Sequence, residues 1–185
     1  VAAPGYSVLS ERVAIELALL RHAEGGGRRR FAVLDAQPDR TVSQVIQDRQ
    51  TIHSGYAALY YPWVEVTVSD GYPADPNSHR QILLPPSGFV CGLYAANDRS
   101  RGVHKSPANL TLAGSSGLER DLTRTELQSL NTENINTLRN FPGRGPRVWG
   151  ARTLDSNPEL RYVATRRFLN FLELSITRGL QWVVF

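Results

Sequence analysis

The 185-residue chain is 41% hydrophobic and carries 21 basic against 17 acidic residues, a net charge of +4, so it holds enough apolar matter for one buried core. Its longest apolar runs, AIELALL and the terminal WVVF, fall short of the roughly 20 residues that a membrane-spanning helix needs, and the opening VAAPGYSVLS lacks the basic start and apolar stretch of a secretory signal. The single cysteine, Cys91, excludes an internal disulfide, and four scattered histidines without ligand spacing argue against a metal centre.

In chain order, residues 10–23 set Val13, Leu17 and Leu20 at helical spacing, with Ser10 as cap and Gly25, Gly26 and Gly27 as the stop. The apolar run 31–34 predicts a covered strand. A second helix starts near Thr41 and aligns Val42, Val45 and Ile46. YAALYYPWVEVTV then reads as a long strand interrupted by Pro62. Residues 70–81 are rich in turn formers and predict a polar loop, before a proline-started helix with Phe89, Leu93 and Ala96 on its inner stripe.

Thr123 and Glu126 have capping-box spacing ahead of Leu127 and Leu130. Two extended runs, 135–141 and 147–154, flank the turn PGRGP. Asn157 and Pro158 suit the start of a long helix with Leu160, Ala164, Phe168, Phe171 and Leu172 inward, closed by Gly179. Residues 181–185 read as a buried strand, and Trp63, Trp149 and Trp182 as core packing. Alternating strands and helices predict a single α/β domain, an α/β/α sandwich with a mixed or mostly parallel sheet. An apolar strand at the very end is unlike an ordinary frayed terminus and suggests truncation.

Chemical motifs are sparse. The two prolines of PGRGP have no N–H to offer an anion, and no lysine followed by Ser or Thr opens a helix there, so the phosphate-loop reading fails. A hydrolase would draw on His104 with Ser106 or Ser115 and Asp98, yet no G-x-S-x-G elbow is present. A third reading uses Arg28, Arg29 and Arg30 to bind anions or nucleic acid. Every basic residue except Lys105 is arginine, whose planar fork suits contacts with carboxylates and aromatic rings.

Four stretches occur together and in order: ALYYPWVEV, LPPSGFVCGLYAANDRSRGVHKSPAN, LNTENINTLRNFPGRGPRVWGARTL and RYVATRRFLNFLELSITRGLQWVVF. Together they resemble the tail sheath proteins of contractile phage tails and related injection particles, over about residues 56–185. The resemblance implies a structural protein, not an enzyme. Its copies would stack as rings into a sleeve around an inner tube, and sleeve shortening would drive the tube through a target envelope. The implied body is a subtilisin-like layered α/β core without catalytic groups and without a cofactor.

The implied partners are other copies of the chain, the inner tube protein, the baseplate and the tail terminator, with no nucleic acid and no membrane insertion. The implied location is a virion tail or contractile particle, assembled in the bacterial host cytoplasm. Family members extend further at both ends, so the chain is expected to be a core fragment that stays mostly monomeric. Where the family pattern has an aromatic, this chain has His104. Interface candidates are Arg144, Arg147, Arg152, Arg101 and Lys105. Arg144 at the turn tip is expected to point outward. On strand alternation Arg152 shares a face with Val148, Gly150 and Leu154, to pair with a carboxylate either inside the domain or across an interface.

Overall fold

The computed structural model describes residues 9–25, 27, 29–69 and 79–184. Elements follow in the order α1 (Leu9–Glu24), β1 (Ala32–Asp35), α2 (Val42–Arg49), β2 (Ala57–Tyr61), β3 (Val64–Ser69), β4 (His79–Leu84), α3 (Pro86–Arg101), β5 (Leu110–Thr111), β6 (Gly117–Leu118), α4 (Arg124–Thr132), β7 (Asn136–Phe141), β8 (Gly145–Val148) and α5 (Val163–Gly179). Five strands form the main sheet in the order β1-β2-β7-β8-β5. β1, β2 and β7 are parallel, and β8 and β5 complete the sheet antiparallel. This is the expected mixed sheet.

Both faces of that sheet are covered. Leu34, Leu59 and Tyr61 pack under Leu20 of α1, Val45 of α2 and Leu130 of α4. Val33, Ala58 and Tyr60 pack on the other side with Val90 and Tyr94 of α3 and Val163 of α5. The result is an α/β/α sandwich.

Local signals place several elements. Thr41 with Gln44 and Thr123 with Glu126 form reciprocal capping boxes at α2 and α4. Pro86 opens α3, but the cap comes from a distant strand: the Asp35 carboxylate accepts from Ser87 N and Ser87 Oγ, each at 2.6 Å. A carboxylate at a helix N-terminus is favoured by the unpaired N–H groups there.

Other expectations are corrected. The long strand through Pro62 is two strands. At the cis Tyr61–Pro62 bond the chain leaves the main sheet and enters a second, antiparallel sheet of order β4-β3-β6. The predicted loop 70–81 overlaps β4 at its end, and residues 70–78 lie outside the described part. On α1, Leu20 is buried whereas Val13 and Leu17 stay exposed. On α3 the buried face is Val90, Tyr94 and Asn97, with Phe89 and Leu93 only partly covered and Ala96 exposed.

The last helix differs most. Asn157 and Pro158 start a separate 3-10 turn, Pro158–Leu160, and α5 begins only at Val163. Its buried side chains are Val163, Arg166 and Asn170, while Phe168 and Phe171 face outward, 37% and 50% exposed. Arg167 locks α5 to α3 with a two-pronged pairing to Asp98, so polar side chains do the anchoring expected of the aromatic stripe. Residues Gln181–Val184 form a 3-10 turn with Trp182 75% exposed, not a buried strand. Of the other two tryptophans, Trp63 is half-buried and Trp149 exposed.

One buried side chain ties three strands of chain together. Asn136, fully buried at the start of β7, donates to Leu59 O at 3.2 Å and Arg152 O at 2.7 Å and accepts from Arg152 N at 2.6 Å. A Cβ at Gly150 would lie 2.8 Å from Asn136 Oδ1 and 3.0 Å from its Cα, so only glycine lets the chain pass there. This bond pattern ends the expected alternation along 147–154: Val148, Ala151, Thr153 and Leu154 are all buried. Asn136→Ala removes three hydrogen bonds to backbone groups and is expected to cost about 3 kcal/mol, read from chemical denaturation.

Candidate functional site

In open α/β sheets, ligands usually sit beyond the C-terminal ends of the parallel strands. Here several side chains at that edge are bonded to the protein's own groups. Asp35, the last residue of β1, is spent on capping α3. The Tyr61 hydroxyl donates to Arg40 O at 2.6 Å and accepts from Arg120 Nη1 at 3.4 Å. Burial pushes its pKa up, with Arg120 opposing. Trp63 Nε1 donates to Ala36 O at 2.7 Å, and Glu119 accepts from Asp39 N and Trp63 N at 2.6 and 3.0 Å.

The residues of the hydrolase reading do not converge. Asp98 is paired with Arg167. Ser115 Oγ donates to Leu112 O at 2.6 Å. His104 is exposed, and neither it, Ser106 nor Ser115 lines the groove of about 420 Å³ beside α3 that Lys105 borders. Of the anion-binding run, Arg28 lies outside the described residues, and Arg29 and Arg30 are exposed. Among the described residues no group of histidine, cysteine and carboxylate side chains could hold a metal ion.

The interface candidates fall in two places. Phe141, Pro142, Gly143 and Arg144 form a tight turn closed by Arg144 N donating to Phe141 O at 2.9 Å. Gly143 and Gly145 take φ of 71° and 68°, the left-handed region that glycine enters without strain. Arg144 is exposed at the tip and its side chain pairs with no described residue, as expected. Below it, Arg139 stacks over Phe141 at 4.8 Å and Trp149 at 5.7 Å, and the two rings lie 5.2 Å apart. Arg147 Nη1 donates to Asn109 O and Oδ1 at 3.3 and 3.2 Å. Asn109 in turn lines the groove shared by the exposed Arg101 and Lys105.

Arg152 is elsewhere. Its Nη1 donates to Asn131 O at 2.8 Å and Asn134 Oδ1 at 3.4 Å, with no carboxylate partner among the described residues, which corrects the pairing expected inside the domain. The Arg139–Phe141–Trp149 stack escaped the sequence reading. Its signal was present: Arg139 and Phe141 are two residues apart on one strand and so share a face.

A family model, phage tail sheath protein central domain, matches residues 2–154. The chain belongs to the phage tail sheath family. The sheath chain is 31% identical over 164 residues to the tail sheath protein of Burkholderia phage BcepMu, covering 82% of itself and 32% of that relative. It is similar to the sheath of the PVC extracellular contractile injection system in its contracted state, with 32% identity, coverage of 94% and 46%, and a TM-score of 0.76. It is also similar to the contracted helical sheath of the anti-feeding prophage, with 31% identity, coverage of 98% and 46%, and a TM-score of 0.72. The chain thus spans about a third of the phage relative and less than half of each solved chain.

Cys91 is half-buried on α3, and burial pushes its thiol pKa up. Less thiolate then exists at pH 7, so alkylation by iodoacetamide is expected to run slower than for a free thiol. The rate should rise as pH passes the ordinary thiol range; a fast reaction at pH 7 would reveal an activated nucleophile.

Proposed function

We propose that this chain is the body of a contractile sheath subunit. Copies stack as rings into a sleeve around an inner tube, and shortening of the sleeve drives the tube through a target envelope. The observation that carries the reading is the sheath family match over most of the chain, supported by structural similarity to two sheaths in the contracted state. The internal pairing of Asp98 and Ser115 and of the side chains at the strand edge supports a mechanical role over a hydrolytic one. Placed in a subunit of the relatives' length, the chain contributes one α/β domain, assembled with the particle's tube, baseplate and terminator in the host cytoplasm.

The exposed cations are the contact groups of this reading. Arg144 leads, with Arg101, Lys105 and Arg147 at the neighbouring groove and Arg152 only behind them. Many weak polar contacts repeated around a ring sum to a stable sleeve, and they can be exchanged when it contracts.

Electron microscopy of the complete subunit, expressed alone or with its tube partner, is expected to show long hollow sleeves. Dispersed particles under all conditions would sink the reading. Arg144→Glu is expected to impair sleeve formation or contraction and to leave the melting temperature of the body unchanged. Normal contractile particles carrying that change would remove Arg144 from the contact.

A further inference from the structure

The β7–β8 turn stands at one pole of the molecule. Tyr61, the last residue of β2, lies opposite Thr137, so the parallel strand β7 runs on to Phe141 and carries the turn about 13 Å past the end of β2. No salt bridge among the described residues involves Arg139, Arg144 or Arg147. The pole is basic, with Trp149 47% exposed beside it.

The opposite pole carries a pocket in which carboxylates outnumber cations. A polar pocket of about 550 Å³ is lined by Glu24, Ser54, Tyr56, Asp155, Arg166 and Glu173, among others. Tyr56 directly precedes β2, so pocket and turn lie about 30 Å apart along the strands and cannot meet within one copy. Three carboxylates face one guanidinium, and that guanidinium is held in place: Arg166 is 7% exposed, lies 4.2 Å over the Tyr56 ring, and donates to Tyr56 Oη from Nη1 at 3.0 Å.

The pocket has unfilled bonding capacity of both signs. Arg166 Nε and Nη2 make no hydrogen bond with any described residue. Gly55 leaves a notch: a Cβ built there would lie 2.7 Å from Asp155 Oδ2 and 3.3 Å from Arg166 Nη2, yet the two side chains form no ion pair. A ligand that fits must bring a cationic donor for the carboxylates and an acceptor for Arg166. The turn of a second copy offers both, in the Arg144 guanidinium and its peptide carbonyls.

We propose that the basic β7–β8 turn of one copy docks into the acidic Glu173–Asp155–Arg166 pocket of the next, with Arg144 pairing to Glu173. This rests on the sheath reading, and it names the receiving surface. Unlike patches at opposite poles make a heterologous contact, which propagates into closed rings or open helices and does not stop at a dimer.

The test is a charge swap in the complete subunit. Glu173 is exposed and its side chain has no described partner, so Glu173→Arg should leave the melting temperature intact. Arg144→Glu and Glu173→Arg are each expected to lower sleeve yield roughly tenfold, and the double variant to recover most of it. A harmless Glu173→Arg, or a double variant no better than the singles, overturns the pairing. So does tight binding of a single-stranded oligonucleotide that Arg144→Glu abolishes without rescue by the swap, which would give the turn to nucleic acid.

A second measurement separates this contact from the sheath reading. Chains carrying Arg144→Cys mixed with chains carrying Glu173→Cys are expected to join through a short bismaleimide, above the background that Cys91 gives in the unaltered chain. Cross-linking without sleeves would keep the contact and sink the sheath reading. Sleeves without cross-linking would do the reverse.

Discussion

β2 is buried along its whole length and on both faces, and the rest of the molecule is arranged around that constraint. Ala57, Leu59 and Tyr61 belong to one core, Ala58 and Tyr60 to the other. A parallel strand so placed needs helices above and below it, and it needs a partner for each polar atom it carries inward, because an unpaired buried hydroxyl is costly. Tyr60 meets the Tyr94 hydroxyl of α3 at 2.6 Å, and Tyr61 meets Arg40 O at 2.6 Å. Burial raises the pKa of Tyr60 and Tyr94, so both stay neutral donors and acceptors at any physiological pH.

Arginine does two different things here. Arg49, 5% exposed, donates to the carbonyls of Glu133, Ile52 and Leu154 and so staples α2, the end of α4 and the 149–154 segment together. Burial lowers its pKa, partly offset by Glu133, yet a guanidinium keeps its charge under that load. Arg152 likewise donates to a backbone carbonyl, that of Asn131, and Arg166 to the Tyr56 hydroxyl. Arg139 and Arg144 project instead. The arginine-rich composition therefore reflects internal carbonyl satisfaction as much as external contact.

What the sequence made legible was local. The capping box at Thr123, the proline start of α3 and the Pro-Gly turn before Arg144 each follow from a few adjacent residues, and each is found where expected. What it hid depends on partners far away in the chain. HRQILL becomes a strand only because β3 pairs with it from Val64 to Ser69, and β5 and β6 are two residues each. Phe168 and Phe171 carry the apolar signal of a core face, but Asp98 and Tyr56 draw Arg167 and Arg166 inward and turn the helix over. The tip of the site was readable for the same local reason as the turn. The acidic pocket was not, since Glu24, Asp155 and Glu173 come from three segments that only the fold assembles.

On the proposed sheath reading, a part that transmits force needs its contact points fixed to its core, and the β7–β8 hairpin would meet that need. Its tip is held by two left-handed glycines and a closed turn, and its shaft by the ladder from Leu138 to Phe141 against β8. Its base is Asn136, bonded to β2 through Leu59 and to the following segment through Arg152. Under the proposed contact, a load applied at Arg144 would pass along β7 into the doubly buried strand and on to the helices of both layers. The proposed contact could then stay weak and polar, able to break and re-form, because rigidity would be supplied by the body behind it and not by the interface.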